Sequence, residues 1–189
     1  MNETRASVLR WAAPALLLMV ALVLITRGFG EPGVREVVRW TARTSLIFFC
    51  LSFAAWGLSA SAWPSRHRPG LLASLALSHG LHLLAIAALT WHTSGANVAE
   101  RGALLRLAGG MLAYAVIFVS AWRPGGGWAR WGSFWVWTVF LVSYLPRAIA
   151  SPVPFGLAVV LLAVAMVIRV WGALSRSRPT ELESVRKAS

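Results

Sequence analysis

The chain has 189 residues, 58% of them hydrophobic and 13% charged, with a mean hydropathy of +0.67. Soluble domains run near about 50% apolar and about 25% charged, so the composition excludes an ordinary soluble domain and points to a membrane protein. Eighteen Lys and Arg face six Glu and no Asp, giving a net charge of +12; the apolar excess leaves too little polar surface for a soluble nucleic-acid-binding domain. Arginines scattered between apolar segments read instead as topology-setting charge facing anionic headgroups, so the implied partner is the lipid bilayer, with no nucleic acid.

A helix that crosses a hydrocarbon core of about 30 Å needs roughly 20 apolar residues. Six segments come close, which predicts an all-α polytopic membrane protein built as a bundle of six transmembrane helices. The first runs from about Trp11 to Thr26, with Pro14 in its first turn. Arg5 and Arg10 precede it as in a signal peptide, but Leu24-Ile25-Thr26-Arg27-Gly28 lacks a small-x-small cleavage pattern, so the segment is expected to stay as a helix. Gly28, Gly30, Pro32 and Gly33 follow as turn formers. The second segment runs from about Thr41 to Ser61 and opens on a basic stretch in which Arg35, Arg39 and Arg43 recur every four residues. That spacing predicts one helical face, at the interface, binding lipid phosphate or an anionic cofactor group, or simply snorkelling to headgroups.

Pro64, Pro69 and Gly70 separate the second segment from the third, Gly70 to Trp91. Thr93-Ser94-Gly95-Ala96-Asn97 ends it, and the fourth covers about Leu104 to Trp122. Pro124-Gly125-Gly126-Gly127 leads to the fifth, Trp128 to Ile149, and Ser151-Pro152-Val153-Pro154 to the sixth, Val153 to Gly172. The chain divides into an N-terminus (1–10), one membrane domain (11–172) and a polar tail (173–189). With six spans, the side shared by the termini holds eleven Lys and Arg against seven on the other, which places both termini in the cytoplasm. Of eleven tryptophans, Trp40, Trp63, Trp91, Trp122, Trp128 and Trp131 sit at span ends, as in an aromatic belt. Trp135 and Trp137 lie deeper, to fill the bundle or to pack on a planar cofactor.

The single cysteine, Cys50, lies in an apolar run, which excludes a disulfide framework and a cysteine-based metal site. An ionisable residue inside a span is costly and points to function. His79 and His82, three positions apart in the third segment, are the two clear cases. Neutral imidazole is a good axial ligand for heme iron, and Gly80 between them leaves room for a macrocycle or a neighbouring helix. Alternatively the pair hydrogen-bonds across the bundle, with Ser78 or Ser120 as partners. His67, in a basic loop, and His92, just past the span, are weaker ligands. No Asp or Glu lies in a span, which disfavours a carboxylate proton relay, and no nucleotide-binding motif suggests a flavin or nicotinamide site.

Arg39-Trp40-Thr41-Ala42-Arg43-Thr44-Ser45-Leu46-Ile47-Phe48-Phe49, with Ser78-His79-x-x-His82-Leu83, resembles the ferric reductase-like transmembrane domain family, in particular its short bacterial six-helix members. Gly132-Ser133-Phe134-Trp135-Val136-Trp137 is similar to their fifth helix and Pro152 to Arg169 to their last. A better-known relative is the heme-binding membrane subunit of the periplasmic methionine sulfoxide reductase system. The resemblance implies heme b between the third and fifth helices, and electrons passed across a bacterial inner membrane from a cytoplasmic flavin donor or a quinol. It implies a redox partner, and at most an electron-transfer subunit rather than a complete enzyme. His82 matches the third-helix ligand, with His79 the extra histidine of the short members. The family's fifth-helix histidine falls three residues before Gly132, where this chain has Ala129. Three arrangements follow: heme on His79 or His82 alone, heme with an unusual second ligand such as His92, or a heme-free scaffold that assembles with a partner subunit through small-residue faces such as Ala108-Gly109-Gly110. The heme arrangements predict a cavity beside the two histidines lined by Phe134, Trp135 and Phe140.

Overall fold

The computed structural model describes residues 3–92 and 101–177. Among these residues there are seven helices and no strands: α1 (Glu3–Arg27), α2 (Glu31–Ala54), the single-turn α3 (Trp63–Arg66), α4 (Arg68–His92), α5 (Arg101–Trp122), α6 (Gly127–Ala150) and α7 (Pro152–Ser177). α1, α2, α4, α6 and α7 are long and apolar enough to cross a membrane. α5 has 22 residues, with Gly109–Trp122 as a shorter apolar stretch. The chain is an all-α, multi-pass membrane-type bundle, and each of the six apolar segments falls wholly or for the most part on one of its long helices. The Thr93–Asn97 turn and tail residues 178–189 lie outside the described residues.

Several helix boundaries differ from a hydropathy reading. α1 begins at Glu3, so most of the expected N-terminal segment is helical. α2 begins at Glu31, ten residues before the apolar run, with Gly30 at its N-cap and Pro32 in its first turn. The cause is amphipathicity. Val34, Val37, Thr41 and Ser45 are buried at spacings of three and four, while Arg35, Arg39 and Arg43 stay exposed. The three arginines do share a face, but Arg35 bonds Glu31, Arg39 bonds Glu36 at 2.9 Å, and Arg43 lies over the Trp40 ring. At the other end, α2 stops at Ala54 rather than Ser61.

Adjacent packing runs α2–α4–α5–α6–α7 and back to α2, a closed ring of five helices, with α1 on its outside against α2 and α4. Half of the apolar stretch is buried in α2 and α4, against 17–22% in α1, α6 and α7, so α2 and α4 form the inner pair and the others turn most of their surface outward. The core inside the ring draws Phe49 and Phe53 from α2, Leu75 from α4, Ile117 from α5, Val136 from α6 and Leu162 from α7. Trp137 fills this bundle, its indole N–H donating to the Leu162 carbonyl at 3.0 Å, whereas Trp135 is 42% exposed on the outer face.

Within the chain, close helix approach does not use Gly109 and Gly110, the small-residue face expected to meet a partner subunit. Gly109 meets Trp135 at ordinary contact distance and Gly110 faces open space. Gly57, just after α2, instead packs against Gly172 of α7 so tightly that a Cβ on Gly172 would lie 1.8 Å from the Gly57 carbonyl oxygen. Gly28 ends α1 at φ +85°, its N–H bonded to the Leu24 carbonyl at 2.9 Å. A side chain is strained in that left-handed conformation. Gly28→Ala is therefore expected to lower stability by about 1 kcal/mol, read as a small fall in the tryptophan-fluorescence melting temperature in detergent; no change would remove the strain argument.

Candidate functional site

α2 and α4 run antiparallel, and their buried faces carry polar residues at matching four-residue steps. Thr41 faces His82 and Ser45 faces Ser78. The Thr41 hydroxyl and His82 Nδ1 are 3.0 Å apart, and the Ser45 and Ser78 hydroxyls 2.8 Å. Thr41, Ser45 and Ser78 are wholly buried. In a bilayer such a ladder stitches two helices together, each bond contributing on the order of 0.6 kcal/mol.

The network also sets the His82 tautomer. Thr41 has one hydroxyl proton, and the carbonyl of Val37, 2.8 Å away, can only accept it. His82 Nδ1–H is then the donor to Thr41, and Nε2 carries the lone pair, an assignment made from the hydrogen-bond network. A metal-ligating histidine is oriented by an acceptor for its other ring N–H, and here the Thr41 hydroxyl is that acceptor.

His79 points elsewhere. Three residues along a helix is about 60° short of a full turn, enough to send the two side chains to different neighbours. His79 is buried, its ring centroid 6.2 Å from that of His82, 5.1 Å from Tyr114 on α5 and 5.6 Å from Phe140 on α6. Both of the latter contacts are edge-on, and His79 Nδ1 is buried without a hydrogen-bond partner. Phe140 in turn stacks on Phe49 at 5.0 Å, so aromatic rings occupy the space between α4 and α6 at this level. Gly80 lies beside Phe118 of α5. Neither Ser78 nor Ser120 bonds a histidine; Ser120 lies nearer the end of the bundle, lining a small cavity.

That cavity, with room for about one water, is lined by Phe49, Phe53, Trp56, Ser120, Ala129 and Ser133 among others, and touches neither His79 nor His82. It lies toward the end of the bundle that carries the 55–67 and 123–126 connections. Ala129 is there because it is the third residue of α6, about 3 Å along its axis, whereas His79 is about 16 Å along α4 from the same end. A side chain at position 129 therefore does not face the α4 histidines; Phe140 does. Of the expected lining residues, Phe140 meets His79, Phe134 packs near the cavity against Phe53 at 5.4 Å, and Trp135 faces outward.

His67 is held on α3, its Nδ1–H donating to the Trp63 carbonyl at 2.9 Å, and His92 is exposed at the end of α4. Among the described residues no three His, Cys, Asp or Glu side chains gather as a metal site. Among the described residues α6 offers no histidine to face His79 and His82 of α4, and His82 is the one of the pair whose ring is held by a hydrogen bond. Thr41 and Ser45 are the residues that the sequence reading missed. Their signal was present as two i, i+4 polar pairs, Thr41/Ser45 and Ser78/His82, on segments that a hairpin-like connection makes antiparallel. No known family model matches the chain, and no curated protein or solved structure is significantly similar to it.

Proposed function

We propose that the protein is a membrane-embedded electron-transfer subunit of a bacterial inner membrane, both termini cytoplasmic, that holds heme b through His82 alone. The observation that carries this reading is the Thr41–His82 bond, which fixes the imidazole with its Nε2 lone pair available. The resemblance to the ferric reductase-like family supports it. When bound, the heme supplies one-electron redox chemistry. His82 binds, Thr41 holds the ring and its tautomer, and the packing of α2 on α4 keeps that bond buried. A redox partner or quinol supplies the electrons.

One observation favours a second reading, a heme-free scaffold. Tyr114, Phe140 and Phe49 fill the space between α4 and α6 in which the family would hold its cofactor. An absorption spectrum of protein purified after expression with ample heme, oxidised and then dithionite-reduced, separates the two. A broad high-spin Soret band is expected, lost in His82→Ala and kept in His79→Ala. Thr41→Val is expected to weaken heme retention about tenfold. A featureless visible region at full yield would overturn the heme reading in favour of the scaffold.

A further inference from the structure

Three arginines from two helices converge on Trp56, at the end of the bundle that carries the 55–67 and 123–126 connections. The Arg68 guanidinium lies 3.8 Å over the indole ring, Arg169 lies 5.8 Å from the same ring, and Arg176 donates to the Trp56 carbonyl at 2.6 Å. Arg169 is only 5% exposed. Its guanidinium is held between the rings of Phe53 and Phe134, at 4.2 and 4.1 Å, and it donates to the Ser133 hydroxyl at 2.9 Å and to the Arg130 carbonyl. It is a fixed charge rather than a side chain reaching for solvent.

Among the described residues no carboxylate pairs with any of the three. The two ion pairs, Arg35–Glu31 and Arg39–Glu36, both sit at the opposite end of the bundle. Arg68 Nε is buried without a hydrogen-bond partner. Each guanidinium has five N–H donors, of which Arg176 uses one and Arg169 two in the bonds above. Three cations without a carboxylate partner among the described residues, two at the Trp56 indole and one at its carbonyl, call for an anion with several oxygens. Phosphate matches the planar fork of arginine and its charge.

We infer that Arg68, Arg169 and Arg176 form a phosphate-binding site on Trp56, which takes the phosphate of an anionic membrane lipid or free phosphate. The site is independent of the α4 histidines. Arg169 preorganises it; Arg68 and Arg176, which are less buried, close on the ligand. The competing occupant is the chain's own tail, which carries Glu181 and Glu183.

The test is a tryptophan-fluorescence melt of the full chain in detergent, titrated with phosphatidylglycerol, with phosphatidylcholine, and with inorganic phosphate at constant ionic strength. Stabilisation by phosphatidylglycerol at a concentration at least tenfold below that needed for phosphatidylcholine assigns the site to a lipid; stabilisation by inorganic phosphate assigns it to free phosphate. Either result is expected to weaken about tenfold in Arg68→Gln and in Arg176→Gln and to be unchanged in Arg35→Gln. Arg176 is exposed, so its variant keeps the test open where Arg68→Gln disturbs folding. Equal response to both lipids with none to phosphate, or a preference that survives both substitutions, would overturn the site. So would a response that emerges only in Glu181→Gln/Glu183→Gln, which would place the tail there instead.

Discussion

Arg169→Ala is expected to destabilise the bundle by on the order of 3 kcal/mol, while Arg169→Met costs less than about 1 kcal/mol. The buried guanidinium fills the gap between Phe53 and Phe134 and touches both ring faces, so truncation to alanine removes two cation–π contacts and opens a cavity beside the one already present. Methionine keeps most of the volume and the flexible apolar contact with both rings. Nor does it strand the polar groups that Arg169 bonds, because the Ser133 hydroxyl already donates to the Arg130 carbonyl at 2.8 Å. Removing the charge also removes its desolvation cost. Melting curves of the two variants in one detergent decide the matter. If Met falls as far as Ala, the charge rather than the volume holds α7 in place.

Gly172→Ala is expected to be strongly disruptive for a single added methyl. The new Cβ would meet the Gly57 carbonyl oxygen at 1.8 Å, and the neighbour that must yield is backbone rather than the end of a flexible side chain. Separating α7 from the end of α2 also pulls Arg169 from Phe53 and Arg176 from the Trp56 carbonyl. A loss of about 3 kcal/mol or more follows from overpacking of this kind. Gly110→Ala is the matched control: nothing lies within 4 Å of its added methyl, and alanine favours the helix by about 1 kcal/mol. The two variants are expected to move the melting temperature in opposite directions, and equal small shifts would refute the tight crossing.

The long helices were legible in the sequence because each is a long apolar run ended by glycine or proline. The first ten residues of α2 were not, since their pattern is amphipathic and mean hydropathy averages it away. His79 and His82 were visible as buried ionisable residues, but not the divergence of their side chains. That depends on which helices pack against α4 and not on spacing alone. Thr41 looked like one of many hydroxyls until the antiparallel register of α2 and α4 brought it to His82. Arg169 was counted with the topology-setting charges; its slot is made by Phe53 and Phe134, far away in sequence, and no local pattern announces it. The depth of position 129 could not be read locally either: Ala129 opens α6, whereas His79 is three turns into α4.

The five-helix ring has a consequence for how the chain is made. Its closing contact joins α2 to α7, elements with residues 55–151 between them. Non-local contacts of this kind form late, after the entropy of the long intervening loop has been overcome. During synthesis, α2 and α4 can dock first through their hydroxyl ladder, with α1 along their outer side. Until α7 emerges, Phe53 has Phe134 of α6 for a neighbour but not Arg169, and Gly57 has nothing to lie against. α7 is thus the bolt of the assembly: without it the ring stands open between α6 and α2.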